Sequence, residues 1–565
     1  MRLHHMIRRA RIVTIAAAFT AISMSVFAQN GQSQFSISLQ NAAAQTAAQP
    51  QTGAVRRVSI DEAVALALEQ NLGIRIQRLD PQIQDIGIVT AKSFWAPSLT
   101  TGFSRQSQTQ QPVSAFSGSS TNIQNGNFAG QAAVSQTLPW GGSYAANWNS
   151  FRSTTTSLAS NFSPQLNSSL DMQFSQPLLR NFEIDQIRQQ VLNSKKAREL
   201  SDIQLTGVIT GTLRAVKNAY WDLSYAIANL KTQQQSLALS QQSLKDEQKR
   251  VEIGVRAPID IVQAQAEVAS NEERVIVADA AIKAAQDNLR ALVLDPGTAD
   301  FWTVTFEPTD VASFAAQAID VDAAVRNALD KRSDLLSAKN SLEQSDINIR
   351  YYRNQVKPDV NANLRYITTA TGGVQLSPVD FAAIATGAST GARTVVADRG
   401  YGSVLGDVIQ GSYPNWTVGV SVTYPLGTNT AHANLARVRL QYEQAQTQLK
   451  NLQMQVATQV RGAARNVTTN QQRVQSAKSS RELQEKKLEA EEKKLAAGMS
   501  SSFFVFQAQR DLALARTAEI QAISDYNKSL VDFEAVQQVP LGGGGGSITT
   551  AGSGAVATGG IFRQQ

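Results

Sequence analysis

The chain of 565 residues contains no cysteine and three histidines, and it carries a formal net charge of +7. Because it lacks a thiol, and because His432 is the only histidine beyond the first five residues, thiol catalysis, His-cluster metal sites and a lipoprotein anchor are excluded. Four arginines belong to a predicted leader, and without them the charge falls to about +3, which gives no case for binding nucleic acid.

Residues 1–28 have the three parts of a secretory signal peptide. A basic segment ends at Arg11, an apolar stretch runs from Ile12 to Val26, and a cleavage-like pattern closes at Ala28. The apolar stretch is shorter than the ~20 residues of a spanning helix, so an uncleaved anchor is the weaker alternative. No comparable stretch follows, and we expect any membrane crossing to use β-strands.

Internal similarity divides most of the remaining chain into two copies of one unit. Ile60–Leu68 resembles Val321–Leu329, the same spacing aligns Pro97 with Pro358, and Gly254–Gln265 resembles Gly498–Gln509. The order predicts a first repeat over residues 58–294, a connector over 295–319 and a second repeat over 320–539. Residues 29–57 and 540–565, which are rich in small and polar residues, are expected to be disordered.

Each copy contains a segment in which apolar and polar residues alternate. In the second copy the apolar set ends in aromatic residues and comprises Trp416, Val418, Val420, Val422 and Tyr424. The first copy repeats the pattern at Leu170, Met172 and Phe174. This pattern is typical of transmembrane barrel strands, with a half-buried soluble sheet as the alternative.

Polar stretches at residues 105–128 and 366–414 are predicted to be outward loops. Ala129–Leu138 and Ser143–Arg152 are two further strand candidates without a counterpart in the second copy. They either add a hairpin to the barrel or form a rim outside the membrane.

Two very long helices are predicted from apolar residues spaced by three, four and seven positions. In the first copy the seam comprises Val216, Tyr220, Leu223, Ile227, Leu230, Leu237, Leu244 and Val251. In the second copy it comprises Val460, Val467, Val474, Leu488 and Leu495, and Arg481 interrupts it. A helix over residues 181–253 would span ~110 Å, and helices over 61–95 and 258–292 would span ~52 Å each. Two short helices in line therefore match one long helix.

This combination of doubled unit, Pro-flanked strands and Gly-broken helical hairpins resembles the TolC family of outer-membrane efflux proteins over residues 58–539. The resemblance implies an α+β membrane protein in which a trimeric outer-membrane β-barrel continues into a long periplasmic α-helical barrel. It also implies a non-enzymatic homotrimer without cofactors, surrounded by outer-membrane lipid and joined through a periplasmic adaptor protein to an inner-membrane pump. Export of small molecules is the expected function, with type I protein secretion as the alternative and a structural trimeric stalk as a more remote one.

The resemblance assigns roles to the two hairpin tips, which would form the periplasmic entrance. Residues expected to dock the adaptor are Gly254, Arg256, Pro258, Gly498 and Ser501. Residues expected to form the gate are Asp260, Gln263, Phe503, Phe504, Phe506 and Gln507. Relatives are implied to place carboxylates just beyond the tips, but the second copy has aromatic residues there and no acid. The aromatic residues would either tighten the closed gate or fill the helix seam, and the glycines would either serve docking or only make a tight turn.

Overall fold

The computed structural model describes residues 55–111, 122–157, 160–254, 257–298, 301–310, 312–380, 382, 386, 393–427 and 429–538. The predicted leader, most of the amino-terminal segment, the carboxy-terminal tail and Arg256 lie outside these residues. We expected disorder over residues 29–57, but that prediction is wrong at the end of the range, because strand β1 (Val55–Val58) begins within it. This strand is ordered by parallel pairing with β6 (Thr305–Pro308) of the connector and by the buried Val58 side chain.

The helices repeat almost residue for residue between the two copies. The first copy contains α1 (Ile60–Gln70), α2 (Leu72–Ser93), α3 (Gln186–Glu252) and α4 (Pro258–Val293). The second contains α5 (Val321–Lys331), α6 (Ser333–Gln355), α8 (Thr430–Ala496) and α9 (Ser502–Gln537). The long helices have 67 residues each and the returning helices 36 each, which agrees with the repeat inferred from sequence.

The single helix expected over residues 61–95 is two helices, which corrects the prediction. Asn71 has φ −62° and ψ 122°, so its extended backbone ends α1 and begins α2. Its side-chain oxygen accepts from the Ile74 N–H, and its amide donates to the Leu292 carbonyl at 2.9 Å. Arg332 makes the equivalent break between α5 and α6, with φ −62° and ψ 130°.

Short helices lie in succession along each side of the long helix α3. On one side α2 contacts its first part through Arg198–Asp85, and α4 packs against its later part, where Leu289 and Val293 join a cluster with Val216 and Tyr220. On the other side α6 contacts it through Gln189–Asn348, and α9 through Arg214–Asp532. Helix α8 packs against α6 and α9 in turn. Two short helices in line therefore run alongside one long helix, as the comparison of helix lengths predicted.

A hydrophobic core lies where the connector crosses the middle of α3. Val216, Tyr220 and Leu223 of the predicted seam are at most 1% exposed there, and they pack with Val293 and Phe306. Ile227, assigned to the same seam, is 36% exposed. The seam prediction is wrong at that position, because the neighbouring Ala226 occupies the buried side of the helix.

The seven remaining strands of the described chain form one antiparallel sheet in the order β2-β3-β4-β5-β7, and β8 and β9 pair with different parts of the edge of β7 that faces away from β5. They are β2 (Ser98–Gln110), β3 (Ile123–Thr137), β4 (Ser143–Thr155), β5 (Phe162–Pro177), β7 (Asp359–Leu376), β8 (Val395–Arg399) and β9 (Pro414–Thr423). The extra hairpin β3–β4 is inserted between β2 and β5 in full register. It belongs to the sheet and is not a separate rim.

The loops are shorter than expected, which corrects the predicted boundaries. Strand β7 continues to Leu376, and the stretch before β9 holds β8 and the helix α7 (Tyr401–Gln410). Helix α7 forms because Val404 and Val408, one turn apart, pack on Leu166, Leu170 and Ala370 of the sheet. Among the described helices, none combines the length and the apolar character needed to cross a membrane.

Candidate functional site

One face of the sheet carries apolar side chains across all six long strands. Residues directly opposite one another in the register share a face. One such row runs from β2 to β9 as Leu99, Val134, Ala146, Met172, Tyr366 and Trp416. The outer members are open to the surroundings, since Leu99 is 71% and Trp416 69% exposed. This face is therefore apolar and exposed along its outer strands, whereas helix α7 covers Leu166, Leu170 and Ala370 in its middle.

The opposite face of the same strands is polar. The neighbouring row contains Ser98, Ser135, Ala145, Gln173, Arg365 and Thr417. Arg365 pairs in two-pronged fashion with Asp171, at 3.1 and 2.8 Å. A hollow of about 570 Å³ opens along this face. One face thus suits lipid and the other suits water, which is the arrangement of a pore wall.

The hairpin tips are built alike in the two copies. Gly254 and Gly498 have φ of +78° and +74°, the left-handed conformation that ends a helix without a Cβ clash. Pro258 begins α4, and Ser501 is the residue immediately before α9. Pro lacks the N–H that the first turn of a helix leaves unpaired, so it fits that position. These residues make tight turns at corresponding places.

The predicted gate residues differ in how open they are. Phe503 and Phe504 are 50% and 53% exposed, and their rings meet edge to face with centroids 5.6 Å apart. Phe506 is 5% exposed and fills the seam instead. Asp260 is half-buried in the first turn of α4. Gln263 and Gln507 are both exposed.

Sequence reasoning missed the contacts that join the two hairpins near their tips. The buried Ser502 hydroxyl donates to Glu247 Oε1 at 2.6 Å, and Arg510 Nη1 lies 2.9 Å from Glu267 Oε2. Glu247 is 3% exposed, and its second oxygen has no hydrogen-bond partner in the described chain. Glu247 lies between Leu244 and Val251 on the seam. An acidic residue at a position where the repeat expects an apolar one was therefore the signal that could have pointed to this contact.

Arg481, the residue that interrupts the second seam, is the centre of an ion-pair network. Its Nε lies 2.6 Å from Glu519 and its Nη1 lies 2.9 Å from Glu485, which also accepts a hydrogen bond from Arg516 at 3.0 Å. The hydrogen bond from Arg516, followed by that from Arg481, lowers the pKa of Glu485. The interruption thus replaces an apolar contact between α8 and α9 with a polar one.

Solved structures of similar fold include outer-membrane channels and an outer-membrane protein, at low sequence identity. The Campylobacter jejuni CmeC channel aligns with TM-score 0.58 and 13% identity over 85% of each chain. VceC of Vibrio cholerae aligns with TM-score 0.57 and 14% identity, covering 85% of this chain and 96% of VceC. The open-state MtrE channel of Neisseria gonorrhoeae aligns with TM-score 0.54 and 15% identity, covering 85% of this chain and 88% of MtrE.

The family comparison agrees with the fold. No curated protein matches the sequence. Residues 143–293 and 324–536, more than half of the chain, match the model of the outer membrane efflux protein family. Channels of this family work with an adaptor and an inner-membrane pump. The predicted resemblance is confirmed: the chain belongs to the outer membrane efflux protein family, so it is a transport conduit of the outer membrane with its helical part in the periplasm, and not an enzyme.

Proposed function

We propose that three copies of this chain close one duct through the outer membrane and export small molecules that an adaptor and an inner-membrane pump deliver. The observation that carries the proposal is the register-matched apolar face of the sheet, with a polar face behind it. Strands β2 and β9 are edge strands, and unpaired backbone groups in lipid cost several kcal/mol each. Pairing β9 of one copy with β2 of the next removes both edges.

The inserted hairpin sets the width of the proposed barrel. The repeat alone would supply two long strands per copy of the unit, or about twelve in a trimer, whereas β3 and β4 raise the total to about eighteen. Barrel diameter grows roughly in proportion to strand number, and barrels of about 16–18 strands leave an aqueous channel. The exit is therefore about one and a half times as wide as the repeat alone would make it.

The gate in this proposal lies at the hairpin tips. The hydrogen bond from Ser502 to Glu247 and the ion pair between Arg510 and Glu267 hold α9 against the first hairpin. Opening requires these contacts to part. Phe503 and Phe504 are the exposed aromatic residues beside them, and they narrow the closed entrance in this account.

The tips also offer the surface for the adaptor. Ile253 is 72% and Met499 75% exposed, and each lies next to the left-handed glycine of its tip. Apolar side chains that project from two equivalent turns form the centre of a docking patch, with charged residues around it. Gly254, Pro258, Gly498 and Ser501 fix the turn geometry, and Arg256 remains a sequence-based candidate.

Export from intact cells tests the proposed function. A strain that lacks the gene is complemented with the wild type, with Met499→Asp or with the conservative control Met499→Leu. Drug accumulation and the secreted proteome are then measured together. We expect the wild type and Met499→Leu to restore drug export and Met499→Asp to fail while still inserting in the membrane. Restored protein secretion without drug export would favour the secretion duct, and restoration of neither would contradict both.

A further inference from the structure

Two arginines flank Phe128 on the apolar face of the sheet. Arg105 of β2 is opposite Phe128 of β3, and Phe128 is opposite Arg152 of β4, so all three share one face. Both arginines are exposed. Neither forms an ion pair or a side-chain hydrogen bond with any part of the chain that the structure describes. They differ in this from Arg365 on the polar face, which is paired with Asp171.

The spacing of the two arginines suits one shared anion. Neighbouring strands are ~4.8 Å apart, so two strand steps separate the Cα atoms by ~10 Å. Two guanidinium groups that approach from opposite sides can both reach a single phosphate. The planar fork of Arg matches two phosphate oxygens at once, which a Lys ammonium cannot do.

The pair lies at the far edge of the apolar surface. Strand β2 starts shortly after helix α2, and Arg105 is further from the helices than Leu99 and Phe103. The Phe103 ring lies over Gly130, where an added Cβ would meet ring atoms at 3.3 Å. Apolar side chains therefore border the arginines on the side nearer the helices, while the turn residues lie beyond them. With the helical part in the periplasm, this edge faces the outer leaflet.

We propose that Arg105 and Arg152 bind the phosphate group of a phosphorylated, multiply acylated lipid of the outer leaflet. The acyl chains lie along the apolar rows below, against Phe103 and Leu99. Charge complementarity identifies the ligand, because two unpaired cations border a surface that otherwise suits hydrocarbon. Each arginine near an anionic lipid surface strengthens binding roughly fivefold. The inference rests on the proposed placement of the strands in the membrane.

Native mass spectrometry of the detergent-extracted protein tests the inference. The probe is a bisphosphorylated glucosamine lipid, compared with the same lipid after dephosphorylation and with inorganic phosphate as competitor. The variants are Arg105→Gln, Arg152→Gln and the double variant, with Arg365→Gln as the matched control. We expect the double variant to lose roughly 25-fold in lipid affinity and each single variant roughly fivefold. Arg365→Gln should bind the phosphorylated lipid as tightly as the wild type does. The dephosphorylated lipid should bind the double variant as tightly as it binds the wild type.

The outcomes separate this inference from the proposed function. Equal binding of both lipid forms to an intact wild-type oligomer would overturn the phosphate site alone. Efficient competition by inorganic phosphate would identify a free-anion site and also overturn it. A wild-type chain that neither associates nor binds detergent would remove the proposed duct together with the site. If the Gln variants fail to assemble, Arg105→Lys and Arg152→Lys replace them, because they keep the positive charge. Affinity for the phosphorylated lipid equal to that of the wild type in both Lys variants would contradict the contact of each arginine with two phosphate oxygens.

Discussion

Removing one hydroxyl at the second hairpin tip tests the proposed gate. Ser502 and Glu247 are each 3% exposed, and the hydroxyl lies 2.6 Å from the carboxylate. In Ser502→Ala the carboxylate keeps only the contact with Arg250, at 3.2 Å, while its other oxygen already lacks a partner within the described chain. A hydrogen bond to a charged group contributes about 1.5–3 kcal/mol. The closed arrangement should therefore be disfavoured by a factor of about 10 to 150 in each copy.

Single-channel recording in planar bilayers measures this effect directly. We expect Ser502→Ala to raise the fraction of time spent in the open state without changing the fully open conductance. The control is Ser243→Ala, which removes a neutral and half-buried contact to Gln509 at 3.3 Å between the same two helices. That contact contributes about 0.5–1.5 kcal/mol, so the change should be clearly smaller. An open fraction unaffected by Ser502→Ala, or equal in the two variants, would refute the reasoning.

Three further predictions concern the turns, the core and the sheet. Gly498→Ala should destabilise the chain by about 1–2 kcal/mol in chemical unfolding, because a Cβ is strained at φ +74°, whereas Gly211→Ala within α3 should stabilise it slightly. Burial raises the pKa of Tyr220 to about 12. The stability that its protonated hydroxyl gives the folded chain is therefore fully present below pH 10 and is lost as the pH rises toward 12. Tyr220→Phe should remove that alkaline loss in a pH series of thermal melts, and an unchanged series would contradict the assignment. Val418→Arg on the apolar face should cost about 2–4 kcal/mol in folding into lipid vesicles and Thr417→Arg on the polar face far less, and equal costs would show that the faces are assigned wrongly.

The repeat and the long helices could be predicted because their signals are local and periodic. Corresponding helices have equal or nearly equal lengths in the two copies, so matched sequence segments located them well. The break at Asn71 escaped prediction because it depends on a hydrogen bond to the Leu292 carbonyl, over two hundred residues away. Helix α7 escaped for a related reason, since Val404 and Val408 gain burial only against strands from both copies.

The site was predictable in position but not in its contacts. The similarity between Gly254–Gln265 and Gly498–Gln509 located the two tips, and the glycine conformations agree with that placement. The pairing of Ser502 with Glu247 joins residues of different copies, so no periodicity within either copy could reveal it. Strand number was likewise open, because alternation in β3 and β4 does not say which neighbours they pair with.

Cryo-electron microscopy of the detergent-purified protein tests the central claim most directly. The account predicts a particle of three copies in which about eighteen strands form one ring, with β9 of each copy paired to β2 of the next and the helices continuing below. A monomer that stays dispersed without detergent would contradict the account. So would a trimeric ring from which the β3–β4 hairpin is excluded.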